Sequence, residues 1–122
     1  MAKVSHFRDL RVWQGGMDMV EAVYRVTGAF PKSELYGLTG QVRRAAVSVP
    51  SNIAEGHTRE STKEYLNHIS IAQGSLSEVQ TQLEIASRLG YIGPSDLRPI
   101  LEQSAILGKQ LHALRDALLN RK

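Results

Sequence analysis

The chain has 122 residues, 42% hydrophobic and 22% charged, with no cysteine. This is the balance of one globular domain rather than a disordered segment; it excludes disulfides and thiolate metal sites and points to a reducing cytoplasm. Fifteen basic residues against 12 acidic ones leave a net charge of +3, an ordinary mildly basic surface in a monomer, but one that a symmetric ring would multiply and gather onto one face.

No run of about 18 apolar residues occurs, so no transmembrane helix and no membrane partner are expected, and the N-terminal stretch lacks the apolar core of a signal peptide. Every strong periodic signal is helical, and no segment sustains the alternation of a strand. The first predicted helix covers about 9–28. Leu10, Trp13, Met17, Val20, Tyr24 and Thr27 recur at spacings of three and four, with a second row, Met19, Val23 and Val26, beside them. Two rows make an apolar face wider than one neighbouring helix needs. Trp13 reads as core, with an interface anchor as the alternative. Gly15 and Gly16 weaken this helix by about 1 kcal/mol each relative to alanine, and Phe30-Pro31 ends it.

The second helix is predicted over about 38–55, with Gly56 as its C-terminal stop. Pro50 lies inside it. A proline there removes the backbone bond to Ala46 and clashes with the preceding turn, at about 3 kcal/mol, so a kink is expected. A kink would curve the helix around its neighbour and shape a subunit interface. The third helix, about 61–90, opens on the capping box formed by Ser61 and Glu64. Tyr65, Ile69, Ala72, Leu76, Val79, Leu83 and Ala86 run along it in heptads; Gly74 and Ser75 are small enough to allow close backbone approach. The fourth helix, about 96–120, takes Asp96 as its cap, which places Pro99 in the first turn. Leu97, Ile100, Ser104, Leu107, Leu111, Leu114 and Leu118 continue the heptad pattern. Four helices with short connections predict an all-α, up-down-up-down four-helix bundle with a proline-kinked second helix, one domain over 1–122.

Chemistry finds little purchase here. His6, His57, His68 and His112 are scattered, and Glu64 with His68 is the one spacing that resembles half of a di-iron motif. No serine sits in a nucleophile motif, and no strand carries a phosphate loop. The expectation is no catalytic residue, no metal, no cofactor and no enzyme. Arg43 and Arg44 project about 100° apart, so one reaches solvent or a neighbouring subunit while the other lies along the bundle boundary. Arg44, Asn52 and Glu55 trace one polar stripe on an otherwise small and apolar helix; Ser75, Glu78 and Gln82 trace a second on the third helix. The stripes are expected to meet, with Arg44 pairing Glu78 or Glu55, because a partly buried charge needs a partner. A phosphate-binding role for Arg43 and Arg44 is the alternative.

In an up-down bundle, Lys3, Arg8 and Arg11, then Arg59 and Lys63, then Arg121 and Lys122 fall at one end, with Asp9, Glu55, Glu60, Glu64 and Asp116 in partial compensation. Such an end would hold RNA or DNA by its phosphates without reading sequence.

Three stretches, "FRDLRVWQ", "YGLTGQVRRAAVSVPSNIAEG" and "GSLSEVQTQLEIASRLGYI", together resemble the four-helix-bundle family first noted as proteins encoded in intervening sequences of 23S ribosomal RNA genes. The resemblance runs from about Phe7 to Leu118, while Gly15, Gly16 and Gly40 depart from the commoner family residues. It implies an up-down bundle assembled as a homopentameric ring, without an established enzymatic activity. A related accessory protein of diversity-generating retroelements binds reverse transcriptase and nucleic acid, so the implied partners are the chain itself, a protein partner, and RNA or DNA.

Overall fold

A computed structural model describes residues 6–121; Lys3 and Lys122 lie outside them. After a short 3-10 turn at Phe7–Asp9 come four helices: α1 (Arg11–Thr27), α2 (Leu38–His57), α3 (Thr62–Arg88) and α4 (Pro94–Leu119), with a second 3-10 turn at Lys32–Glu34 before α2. Each helix packs on the next in sequence and α4 closes back on α1, which is the up-down four-helix bundle.

The heptad rows of α3 and α4 form the core together with Met19 and Val23 of α1 and Val42, Ala46, Val49 and Ile53 of α2. All seven predicted α3 residues are buried, and on α4 only Leu114 of the predicted row is left half-buried. α3 starts at the predicted box: Ser61 Oγ accepts from Glu64 N at 3.1 Å and donates to Glu64 Oε1 at 2.9 Å. It ends with Gly90 at φ 79°, and Tyr91 N donates back to Ala86 O at 2.8 Å, the six-to-one bond of a Schellman motif, which requires the left-handed turn that glycine adopts freely.

Four local expectations are corrected. On α1 the leading row is split: Thr27 is buried and Leu10, Trp13 and Val20 pack against the core, but the row does not lead it. Met19 and Val23 are fully buried, whereas Met17 and Tyr24 are 40% and 45% exposed and Trp13 and Val20 only half-buried. Gly56 does not stop α2, which runs on to His57. It is glycine because a Cβ there would stand 2.8 Å from His68 Cβ and 3.0 Å from Tyr65 Cδ1. Gly74 is the reverse case: it is exposed, with nothing within 4 Å of a Cβ, so it permits no close approach within the chain. α4 begins at Pro94, capped by Gly93 rather than Asp96. Pro94 takes the first helical position, where its fixed φ is already helical. Pro99 therefore lies beyond the first turn, and the carbonyl it leaves without a backbone donor belongs to the exposed Ser95.

Pro50 cannot bond Ala46, yet α2 continues over it as one helix. Its buried ring fills the space left by Gly16 of α1, whose added Cβ would stand 3.2 Å from Pro50 Cβ. The small residue on one helix and the proline on the other thus set the α1–α2 approach.

One end of the bundle is tied by Glu34. Its carboxylate accepts from Leu38 N (3.1 Å) at the start of α2 and from the Tyr91 hydroxyl (2.9 Å) in the α3–α4 connection. The backbone donor of Leu38, and then Tyr91, hold the Glu34 carboxyl below the usual carboxylate range; the same bond to Glu34 pushes the Tyr91 phenol up. The stability owed to Glu34 is present above its unfolded pKa and is lost as pH falls through the lower folded value. That owed to Tyr91 is present below its unfolded pKa and is lost as pH rises through the higher folded value. Urea midpoints measured across pH should therefore fall on both flanks, and Glu34→Gln should flatten both.

Candidate functional site

Of the first polar stripe only Arg44 shares a cleft with Ser75, Glu78 and Gln82 of the second, on the α2–α3 seam. Arg44, Ser48 and Asn52 follow one another at intervals of four on α2, so they share a face. Ser48 and Ser75 share a hydrogen bond of 2.8 Å across the seam. Asn52 Nδ2 donates to Ser48 O (2.9 Å) and Ser48 Oγ (3.0 Å), and Asn52 Oδ1 faces His68 Nδ1 at 3.0 Å. An amide oxygen only accepts, so His68 carries its proton on Nδ1. Ser48 and His68 are the members that sequence reasoning left out of the network. The interval of four from Arg44 to Asn52 was the available signal for Ser48; nothing in the sequence pointed to His68.

The pairing expected of Arg44 is not formed. Glu55 pairs instead with Arg59, one turn on, at 2.9 Å. Positions 44 and 55 are separated by about 16 Å of helical rise, beyond side-chain reach. Among the described residues neither Arg44 nor Glu78 has an ion-pair partner. The Arg44 guanidinium lies against Gly40, where an added Cβ would come within 3.0 Å of Nη1. It borders an open cleft of about 270 Å³ whose other walls include Glu78, Gln82, Gln41 and the two bonded serines. Gln82 Oε1 is buried and has no partner, as does Thr39 Oγ1.

Arg43 is the boundary arginine. Its Nε donates to Thr27 Oγ1 at 2.8 Å, its Nη2 approaches Tyr24 O at 3.5 Å, and its guanidinium sits 4.5 Å from the centre of the Tyr24 ring. A cation at the end of α1 also meets the negative pole of that helix. These bonds occupy Arg43 within the chain, which removes it from the free cations proposed for phosphate. Arg43→Ala is expected to cost about 1–2 kcal/mol in urea unfolding, and Arg43→Lys most of that, because lysine lacks the planar fork.

The other basic residues are only partly gathered. Arg121 Nη2 donates to Thr62 Oγ1 at 3.3 Å, which brings the end of α4 beside the start of α3. Arg8 is exposed in the first 3-10 turn, close to α2. Lys63 borders a groove with Arg115 over Leu66 and Leu119. Arg59 is neutralised by Glu55, and Arg11 turns into the α1–α4 groove with Asp18 and Gln103. An aromatic group flanks this end: His6 and Phe7 rings lie 4.4 Å apart, and Phe7 and Trp13 5.4 Å. Glu64 is held by Ser61 and His68 by Asn52, so the one metal-like spacing is split between two other networks. Among the described residues no cluster of three histidine, aspartate or glutamate side chains could hold a metal ion.

Comparison with known proteins agrees with this architecture. The sequence signature of the family described as 23S rRNA-intervening sequence protein matches residues 8–113. The fold resembles the crystal structure of a protein of unknown function from the S23 ribosomal protein family of Bacteroides thetaiotaomicron VPI-5482. The TM-score is 0.77 at 20% identity, over 85% of this chain and 97% of that one. At that identity the likeness speaks for the fold alone. No curated protein sequence matches the chain.

Proposed function

The chain belongs to the family of 23S rRNA-intervening sequence proteins, and on that premise we propose that it works as a non-enzymatic assembly unit. It is a bundle that joins copies of itself into a ring, five-membered as the resemblance implies, and presents that ring to a protein partner. The observation that carries this reading is the misplaced row of α1. Trp13, Met17, Val20 and Tyr24 lie at helical spacing along one line; Met17 and Tyr24 are exposed, and Trp13 and Val20 are half-buried against the core. Arg43 reaches Tyr24 and Pro50 meets Gly16. Val47, between Arg43 and Pro50 on α2, is itself 40% exposed. It joins Met17 and Tyr24 in an apolar strip on the α1–α2 side of the bundle, of the kind that marks a protein–protein contact. Subunit contacts of standard size bury about 800 Å² on each partner. The mass in solution tests the reading.

The runner-up is a nucleic-acid-binding accessory role, favoured by Arg8, Lys63 and Arg121 at the same end as the aromatic group. It expects a mobility shift with single-stranded RNA that weakens steeply between low and physiological salt, and further weakening on charge reversal at Arg8, Lys63 and Arg121. Absence of any shift at low salt would remove it.

A further inference from the structure

We propose that the cleft between α2 and α3 binds a small zwitterion, a molecule carrying a carboxylate and a primary ammonium group as α-amino acids do. Two charged side chains without ion-pair partners, Arg44 and Glu78, border one space of about 270 Å³; Gln82, whose amide oxygen is buried and unpartnered, forms part of its wall. Guanidinium calls for a carboxylate, which it grips through paired N–H donors. Glu78 calls for a donor, and an ammonium group supplies several. A ligand with only negative charge would satisfy Arg44 but face the like charge of Glu78. One with only positive charge would satisfy Glu78 but face Arg44. A zwitterion serves both at once.

The site is built rather than incidental. Gly40 removes the side chain that would crowd the Arg44 guanidinium. The Ser48–Ser75 bond fixes the two serines of the wall, and Asn52 holds Ser48 from below. The volume is smaller than the roughly 300–1,000 Å³ of pockets for drug-sized ligands, which suits a compact molecule. The site lies on the α2–α3 seam and is argued without the α1–α2 strip.

The test is a heteronuclear NMR titration of the full-length protein with L-alanine, against propionate and ethylammonium as the two half-ligands. L-alanine should shift the Gln82 side-chain amide and the Ser75 backbone amide saturably, with a dissociation constant of about 1 mM. Each half-ligand should bind at least tenfold more weakly. Arg44→Gln and Glu78→Gln, both at exposed positions without ion pairs, should keep the fold, as seen in their remaining spectrum, and each should weaken L-alanine at least tenfold. No saturable shift up to tens of millimolar L-alanine would overturn the proposal. So would propionate binding as well as L-alanine, or shifts confined to residues outside the cleft.

Discussion

Replacing Gly56 with valine is expected to destabilise the fold by about 3 kcal/mol, and replacing Gly74 with alanine to stabilise it by about 0.5–1 kcal/mol. Both glycines lie inside helices, and helix propensity alone would favour substitution at each. What separates them is the neighbour. At Gly56 a Cβ would stand 2.8 Å from His68 Cβ, 3.0 Å from Tyr65 Cδ1 and 3.3 Å from Tyr65 O. None of these is the loose end of a flexible side chain, so α2 and α3 would have to part, disturbing the Asn52–His68 bond. Valine adds two methyl groups to that clash and regains little propensity. At Gly74 a Cβ would meet nothing within 4 Å. In thermal unfolding the valine variant should melt roughly 10 °C or more below the parent. Parental stability in Gly56→Val would contradict the close α2–α3 approach and restore the reading of Gly56 as a simple helix stop.

The second large effect concerns assembly. Met17→Asp combined with Val47→Asp is expected to reduce the protein to monomers while leaving its helical content unchanged. Both side chains are 40% exposed in the single chain, so the charges cost the monomer little. Across a subunit contact each would be buried without a partner, at several kcal/mol per interface. In a ring every subunit carries the strip, so the penalty recurs at every contact. Light scattering and circular dichroism together check it. A double variant that stayed assembled would place the interface elsewhere on the bundle.

The sequence made the bundle legible wherever one face of a helix held nearly all its apolar residues. The heptads of α3 and α4 are such faces, and their core rows could be read directly. α1 carries apolar residues on two flanks, and periodicity says that both exist without saying which turns inward. Here Met19 and Val23 face the core, and the more conspicuous row is split, with Trp13 and Val20 half-buried and Met17 and Tyr24 exposed. Gly56 and Asp96 failed for a related reason. A glycine or an aspartate near a helix end fits a capping rule, but the close approach of His68 and the claim of Pro94 on the first helical position are tertiary and local facts that outrank it. Of the expected polar stripes only Arg44 lies beside the second, and the expected ion pair is not formed. Which side chains touch depends on the register between helices, and helical periodicity does not record it. Arg43 shows the same limit: its neighbours Thr27 and Tyr24 belong to another helix, and the sequence offered only the pair of arginines.

Size-exclusion chromatography with multi-angle light scattering on the unmodified protein, at two concentrations, decides whether the chain assembles. The expected result is one concentration-independent species with a mass close to five times the 13.5 kDa of the chain. A mass of 13.5 kDa at both concentrations would contradict the account, because the apolar strip of α1 and α2 would then be left facing water.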